Sequence, residues 1–201
     1  MTLESKSTSS TKKKKSNNFD IYLASSSPRR SEILKNLKVN FEILKCDFDE
    51  SNFTDESPED FVIKNTQQKC LAAHAIRQKK KLSNKPILTA DTIVAMDGKI
   101  FGKPQNKDHA IAMLLEFSGR KHSVMTCVCL GETDPQSDAE VKMIFDFVRT
   151  EIQFANLNAN QCAKYWETNE PKDKAGAYGI CLLYTSPSPR DAHESRMPSS
   201  A

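Results

Sequence analysis

Residues 23–34 read LASSSPRRSEIL: an apolar start, three serines, a proline and two adjacent arginines, then a helical pattern. Ser27-Pro28 has the form of an N-cap followed by proline at the first helical position, where a missing N–H is no loss. Just upstream, residues 20–24 (DIYLA) read as a short strand, and downstream Ile33, Leu34 and Leu37 supply the apolar stripe of a helix. The unit is therefore strand, tight turn, helix. Backbone N–H groups at a helix N-terminus favour an anion, and two arginines there oppose the helix dipole unless something negative sits among them. Guanidinium forks fit phosphate oxygens bidentately, which makes the turn a candidate phosphate site. The alternative is a capped, solvent-exposed helix start whose arginines are incidental.

The same alternation of elements continues along the chain. Phe41 to Leu44 reads as a strand, followed by the acidic CDFDES. Ser57-Pro58-Glu59-Asp60 opens a longer helix carrying Phe61, Val62, Leu71, Ala72, Ala75 and Ile76, which ends in the basic QKKKLSNK. Residues 86–96 (PILTADTIVAM) are β-branched and almost wholly apolar, as in a strand buried on both faces, and Asp97-Gly98 is a hairpin signal into KIFG. After a GKP loop comes a helix with Ala110, Met113, Leu114 and Phe117 at helical spacing, closed by Gly119. Residues 122–130 (HSVMTCVCL) and 143–154 (MIFDFVRTEIQF) are two more strands, with Val148, Thr150, Ile152 and Phe154 alternating towards one face. A short helix through Cys162, Tyr165 and Trp166 leads to NEPKDKAGAYGI. Strands mixed with helices predict an α/β (α+β) domain, a mixed twisted sheet with helices on its faces.

Within the most apolar strand stands one acid, Asp91. A carboxylate there costs several kcal/mol to bury unless it is hydrogen-bonded, paired or metal-bound. Asp91 is therefore a candidate metal ligand or general base, or else an acid that caps a neighbouring turn. Phosphate loops of the G-x-x-x-x-G-K-[ST] and G-x-G-x-x-G kinds are absent from the sequence. No Ser/His/Asp triad emerges either, because His74, His109, His122 and His193 lie in helical, loop or tail contexts without an evident partner.

Composition narrows the class further. The 201 residues suit one domain, and much of the net charge of +3 sits in the leader 1–19, where Lys12 to Lys15 form a basic run. That leader reads as a disordered solvated tail, with a nuclear address or nucleic-acid arm as the other reading. The remainder is near neutral and implies no broad nucleic-acid surface. Nowhere are there the roughly 18 consecutive apolar residues of a membrane span, so a cytoplasmic protein without membrane association is expected. The six cysteines show no C-x-x-C pair or zinc spacing and read as reduced, mostly packed thiols.

Five stretches, LASSSPRRSEIL, DFDE, TADTIVAMDGKIFGKP, AIAMLLEFSGRKHSVMTCVCL and EPKDKAGAYGI, resemble in this order the signature blocks of the Maf family over about residues 20–180. The resemblance implies a nucleoside triphosphate pyrophosphatase that cleaves between the α and β phosphates and cleanses the nucleotide pool. It further implies two lobes around a deep nucleotide-binding cleft, often in a homodimer, and a divalent cation, Mg2+ or Mn2+. By matching position, Asp91 is the proton acceptor that activates water and a metal ligand, with Glu50 as the second metal-holding acid. Arg29 and Arg30, with Ser25 and Ser27, lie beside the phosphates, and Lys69, Lys103 and Lys174 line the cleft. Arg29 and Thr92 are similar to the branch that takes dTTP, UTP and related pyrimidine nucleotides.

After KAGAYGI the family pattern continues with Gln and Gly, but here Cys181 follows. Residues 181–201, CLLYTSPSPRDAHESRMPSSA, read as a disordered, non-homologous tail whose start matches a translated sequencing adapter. The expectation is that the natural C-terminus, with the third specificity residue, is missing. A catalytically impaired nucleotide-binding regulator, or an inactive fragment, is accordingly the second functional reading.

Overall fold

The computed structural model describes residues 19–46, 56–134 and 137–179. Glu50 and most of the acidic stretch around it, the leader up to residue 18 and the tail from residue 180 lie outside the described residues, so the readings of those segments do too.

The chain order is β1 (Ile21–Leu23), α1 (Pro28–Asn36), β2 (Phe41–Ile43), α2 (Pro58–Lys79), β3 (Ile87–Met96), β4 (Lys99–Phe101), α3 (Lys107–Phe117), β5 (Lys121–Asp134), β6 (Ser137–Gln153) and α4 (Ala159–Glu167), then two 3-10 turns, Glu170–Asp173 and Ala175–Ala177. The strands form one six-stranded mixed sheet in the order β2-β1-β3-β5-β6, with β4 paired to β3. β1 runs parallel to β2 and β3, while β4 and β5 are antiparallel to β3, as is β6 to β5. The β3–β4 hairpin turns through Asp97 and Gly98, both at positive φ (51° and 78°), the backbone that a two-residue turn between twisted strands demands.

Helices cover the two faces. On one, Phe61 and Val62 of α2 pack against Ile93 and Ala95 of β3 and Met125 and Cys127 of β5. Further along the same helix, Ala73 meets Tyr22 and Ile87. On the opposite face, Val94, Met96 and Phe101 pack against Ala110, Met113, Leu114 and Phe117 of α3 and against Cys162 and Tyr165 of α4. The predicted mixed sheet with helices on its faces is the observed one.

Three apolar patterns fall differently from the sequence expectation. In α1 only Leu34 is buried, whereas Ile33 and Leu37 are 56% and 66% exposed, because this nine-residue helix meets the protein along a single narrow line. The buried face of α2 runs through Phe61, Val62, Asn65, Thr66, Lys69, Cys70, Ala73, His74 and Arg77, leaving Leu71 outside. That face keeps helical spacing, but its polar members, among them Asn65 and Lys69 bonded to Asp91 and Arg77 bonded to Thr133, conceal it from an apolar count. In β6, Ile152 and Phe154 just beyond its end join the core with α3, while Val148 is 54% exposed, since α3 covers only the end of this face; on the other face Phe147 packs against the α2 cluster.

Candidate active site

The sheet leaves a gap beside its central strand. β1 pairs with Ile87 and Leu88 of β3, and β4 pairs with Val94, Ala95 and Met96, so among the described residues no strand pairs with the edge of β3 between them. β1 also has its other parallel partner, β2, on the far side, so the chain reverses its direction of travel across the sheet at this point. In open sheets, ligands bind at the carboxyl ends of strands at such a switch point. The turn SSSPRR leaves the carboxyl end of β1 there, and Asp91 and Thr92 lie in the gap.

Strand pleating sends the two neighbours to opposite faces. Asp91, 7% exposed, turns towards α2, where its Oδ1 accepts from Lys69 Nζ at 2.8 Å and its Oδ2 accepts from Asn65 Nδ2. Both donors come from successive turns of α2, whose start is fixed by Ser57: its Oγ accepts from Asp60 N at 3.1 Å. Thr92 turns the other way, its Oγ1 3.1 Å from Thr126 Oγ1 on β5 and accepting from Arg30 Nη2 at 3.4 Å.

Arg30 fills the gap itself. Its Nη1 donates to the free carbonyl of Ala90 at 2.7 Å and to Ser25 Oγ at 3.1 Å, so the guanidinium ties the β1–α1 turn to the edge of β3. Ser25 Oγ also accepts from Ser27 N at 3.2 Å. Ser27 occupies the N-cap position with Pro28 next, as the sequence predicts, but its side chain makes no cap hydrogen bond. Arg29 points elsewhere, to Asp173 Oδ2 at 3.7 Å, in a largely exposed pair.

Asp173 introduces the last segment. Burial alone would raise its carboxyl pKa, but the hydrogen bond and charge of Lys174, with the charge of Arg29, hold it below the ordinary value. Lys174 is 8% exposed and donates to the Glu170 carbonyl at 2.5 Å and to Asp173 Oδ1 at 3.2 Å. Gly176 then donates its N–H to the Gly102 carbonyl at 3.0 Å, which brings the GKP loop, with exposed Lys103, alongside the Lys174 segment. Gly176 has φ +69°, and a Cβ there would lie 2.9 Å from Val94 Cγ2, so only glycine lets this loop sit on β3.

Four separated stretches thus meet around one strand edge: the SSSPRR turn, the middle of α2, the ADT segment of β3, and the paired GKP and DKAG loops. A family model described as Maf-like protein matches residues 20–185. The chain belongs to the Maf family. Its Maf relatives include a protein of Haemophilus ducreyi named nucleoside triphosphate pyrophosphatase, 38% identical over 81% of this chain and 79% of its own length. Another, from Methylobacillus flagellatus and named dTTP/UTP pyrophosphatase, is 41% identical over 80% of this chain and 75% of its own. Among solved structures, a HAM1 protein from Coxiella burnetii superposes over 67% of this chain and 73% of its own with a TM-score of 0.42 and 19% identity.

Of the residues expected from the Maf blocks, Lys69 with Asp91, and Ser25 with Arg30 and Thr92, are in direct contact. Arg29 and Lys174 are joined through Asp173. Three site residues escaped the sequence: Asn65, Thr126 and Asp173. Asn65 carries the one usable signal, a polar residue four before Lys69 on the same helix face.

Proposed function

We propose that this chain hydrolyses nucleoside triphosphates to the monophosphate and pyrophosphate, with dTTP and UTP as preferred substrates, and so removes surplus or non-standard nucleotides. The observation that carries the reading is the buried Asp91 carboxylate, held by Lys69 and Asn65 at the unpaired edge of β3. The names of the Haemophilus and Methylobacillus relatives support the reaction, and the second of these supports the pyrimidine preference.

In this reading water attacks the α-phosphorus, Asp91 takes its proton, and the bond to the bridging oxygen breaks to release pyrophosphate. Lys69 keeps the carboxylate oriented, while Arg29, Lys103 and Lys174 neutralise charge on the leaving phosphates. Arg30 and Ser25 hold the turn whose helix-end N–H groups face the anion, and Ser27 and Thr92 border it.

The donor set fits a hard divalent cation. Asp91 offers carboxylate oxygens that each keep a lone pair beyond the Lys69 and Asn65 bonds, and Mg2+ typically takes one or two carboxylates with phosphate oxygens and water completing its shell. Asp91 would hold it, with Glu50 as the second acid; Mn2+ has the same preference for oxygen. When bound, the cation polarises the phosphate oxygens. A homodimer remains part of the proposal through the family resemblance.

The test is pyrophosphate release with Mg2+ from dTTP, UTP, CTP, 7-methyl-GTP and ITP. Release from dTTP and UTP above the others is expected, and Asp91→Asn should abolish turnover while sparing nucleotide binding. An unchanged rate in that variant would remove Asp91 from its role. Tight binding without release in the parent chain would favour a nucleotide-binding regulator.

A further inference from the structure

Asn65 sits one turn before Lys69, so both side chains leave α2 on the same face and reach the same carboxylate. It is 7% exposed and lies close to the apolar contacts of Phe61 and Val62 with β3, where an amide is costly unless hydrogen-bonded. Its Nδ2 bonds Asp91 Oδ2, the oxygen that Lys69 does not take.

A lone ammonium on one oxygen leaves a carboxylate free to rotate about its last torsion, which is intrinsically broad. A second donor on the other oxygen fixes the plane. We infer that Asn65 is a positioning residue for Asp91: together with Lys69 it locks the carboxylate plane and thereby sets the direction of the lone pairs left for the reacting water. The inference rests on Asp91 being the proton acceptor of the proposed reaction. Misdirecting a reacting group by a fraction of its length is costly in rate and leaves substrate affinity alone.

Asn65→Leu keeps the branched skeleton, at somewhat greater bulk, and removes the donor, and Asn65→Gln keeps the amide on a longer stem. With dTTP and Mg2+, Asn65→Leu should lower kcat by tenfold or more, on the order expected for a misoriented group, with KM changed by no more than about twofold. Asn65→Gln should recover part of that loss. Crystal structures of the parent chain and Asn65→Leu should show the Asp91 carboxylate rotated in the variant with the Lys69 contact kept. A parental kcat in Asn65→Leu, or an unrotated carboxylate, overturns the inference. Should Asn65→Leu fail to fold, Asn65→Ala removes the donor without adding bulk and is read the same way. If the parent chain releases no pyrophosphate from any nucleotide, the proposed function fails separately, and the carboxylate plane still decides whether Asn65 positions Asp91.

Discussion

Lys69 and Asp91 each leave only 10% of their side chains exposed, so neither charge has water to fall back on when the other is removed. Breaking a buried pair from one side is more damaging than replacing both partners, because it strands the survivor. Lys69→Met should therefore destabilise the fold by about 3 kcal/mol in urea unfolding, and the double variant Lys69→Met with Asp91→Asn should regain most of that loss. A double variant as unstable as the sum of the two singles would mean that the groups do not interact energetically. The sequence exposes Asp91 unaided, since an acid inside PILTADTIVAM demands a partner. It does not expose the partner: Lys69 comes only from the family resemblance. Asn65 is marked only by standing four residues before Lys69, a spacing that gains meaning once Lys69 is placed.

At the scale of elements, local chemistry was legible, and so was burial where the buried face is apolar, as in α3 and β3, but not where it is polar. Ser57-Pro58-Glu59-Asp60 announces the start of α2, and the structure agrees in detail: Ser57 Oγ accepts from Asp60 N, and its hydroxyl donates back to Asp60 Oδ2 at 2.6 Å. Replacing Ser57 by Ala should cost about 1 kcal/mol of stability, seen as a lower urea midpoint with an unchanged m value. Since α2 carries both donors to Asp91, loosening its first turn should reach activity only weakly, through stability. No change in midpoint would show that the cap is redundant. The face that α2 buries could not be read in the same way, because Asn65, Thr66, Lys69, His74 and Arg77 on it are polar, and Asn65, Lys69 and Arg77 are inside for the sake of partners on β3 and β5. Those partners are distant in sequence. The pairing of Thr92 with Thr126 likewise needs the β3–β5 register, which alternation alone leaves open.

Across the whole molecule, the order of the blocks was readable but their meeting at one strand edge was not, since it depends on β1 lying between β2 and β3 and on the last loop returning to Gly102. That return is anchored by His122. Its ring stacks on Phe117 of α3 at 4.4 Å between centroids, meets Phe154 edge-on at 4.9 Å, and its Nε2 lies 2.7 Å from the hydroxyl of Tyr178, four residues beyond Lys174. Burial lowers the His122 pKa from 6.5 to about 4 and pushes the Tyr178 hydroxyl upward, so at neutral pH the imidazole is uncharged, the phenol keeps its proton, and the two share one hydrogen bond. The folded state thus binds a proton on His122 less readily than the unfolded chain does. The stability this gives is full above the unfolded value of 6.5 and is lost as the pH falls from there towards 4. By pH 5 about 2 kcal/mol should have gone. Urea unfolding at pH 7 and pH 5 measures the loss, and His122→Phe, which keeps the ring stack without a titrating nitrogen, should flatten the pH dependence over that interval. An equally steep fall in His122→Phe would place the acid sensitivity elsewhere in the chain. Because the Tyr178 segment also carries Lys174 and closes onto the GKP loop, nucleotide binding should weaken in the parent chain at the pH where this cluster begins to open, and not in His122→Phe.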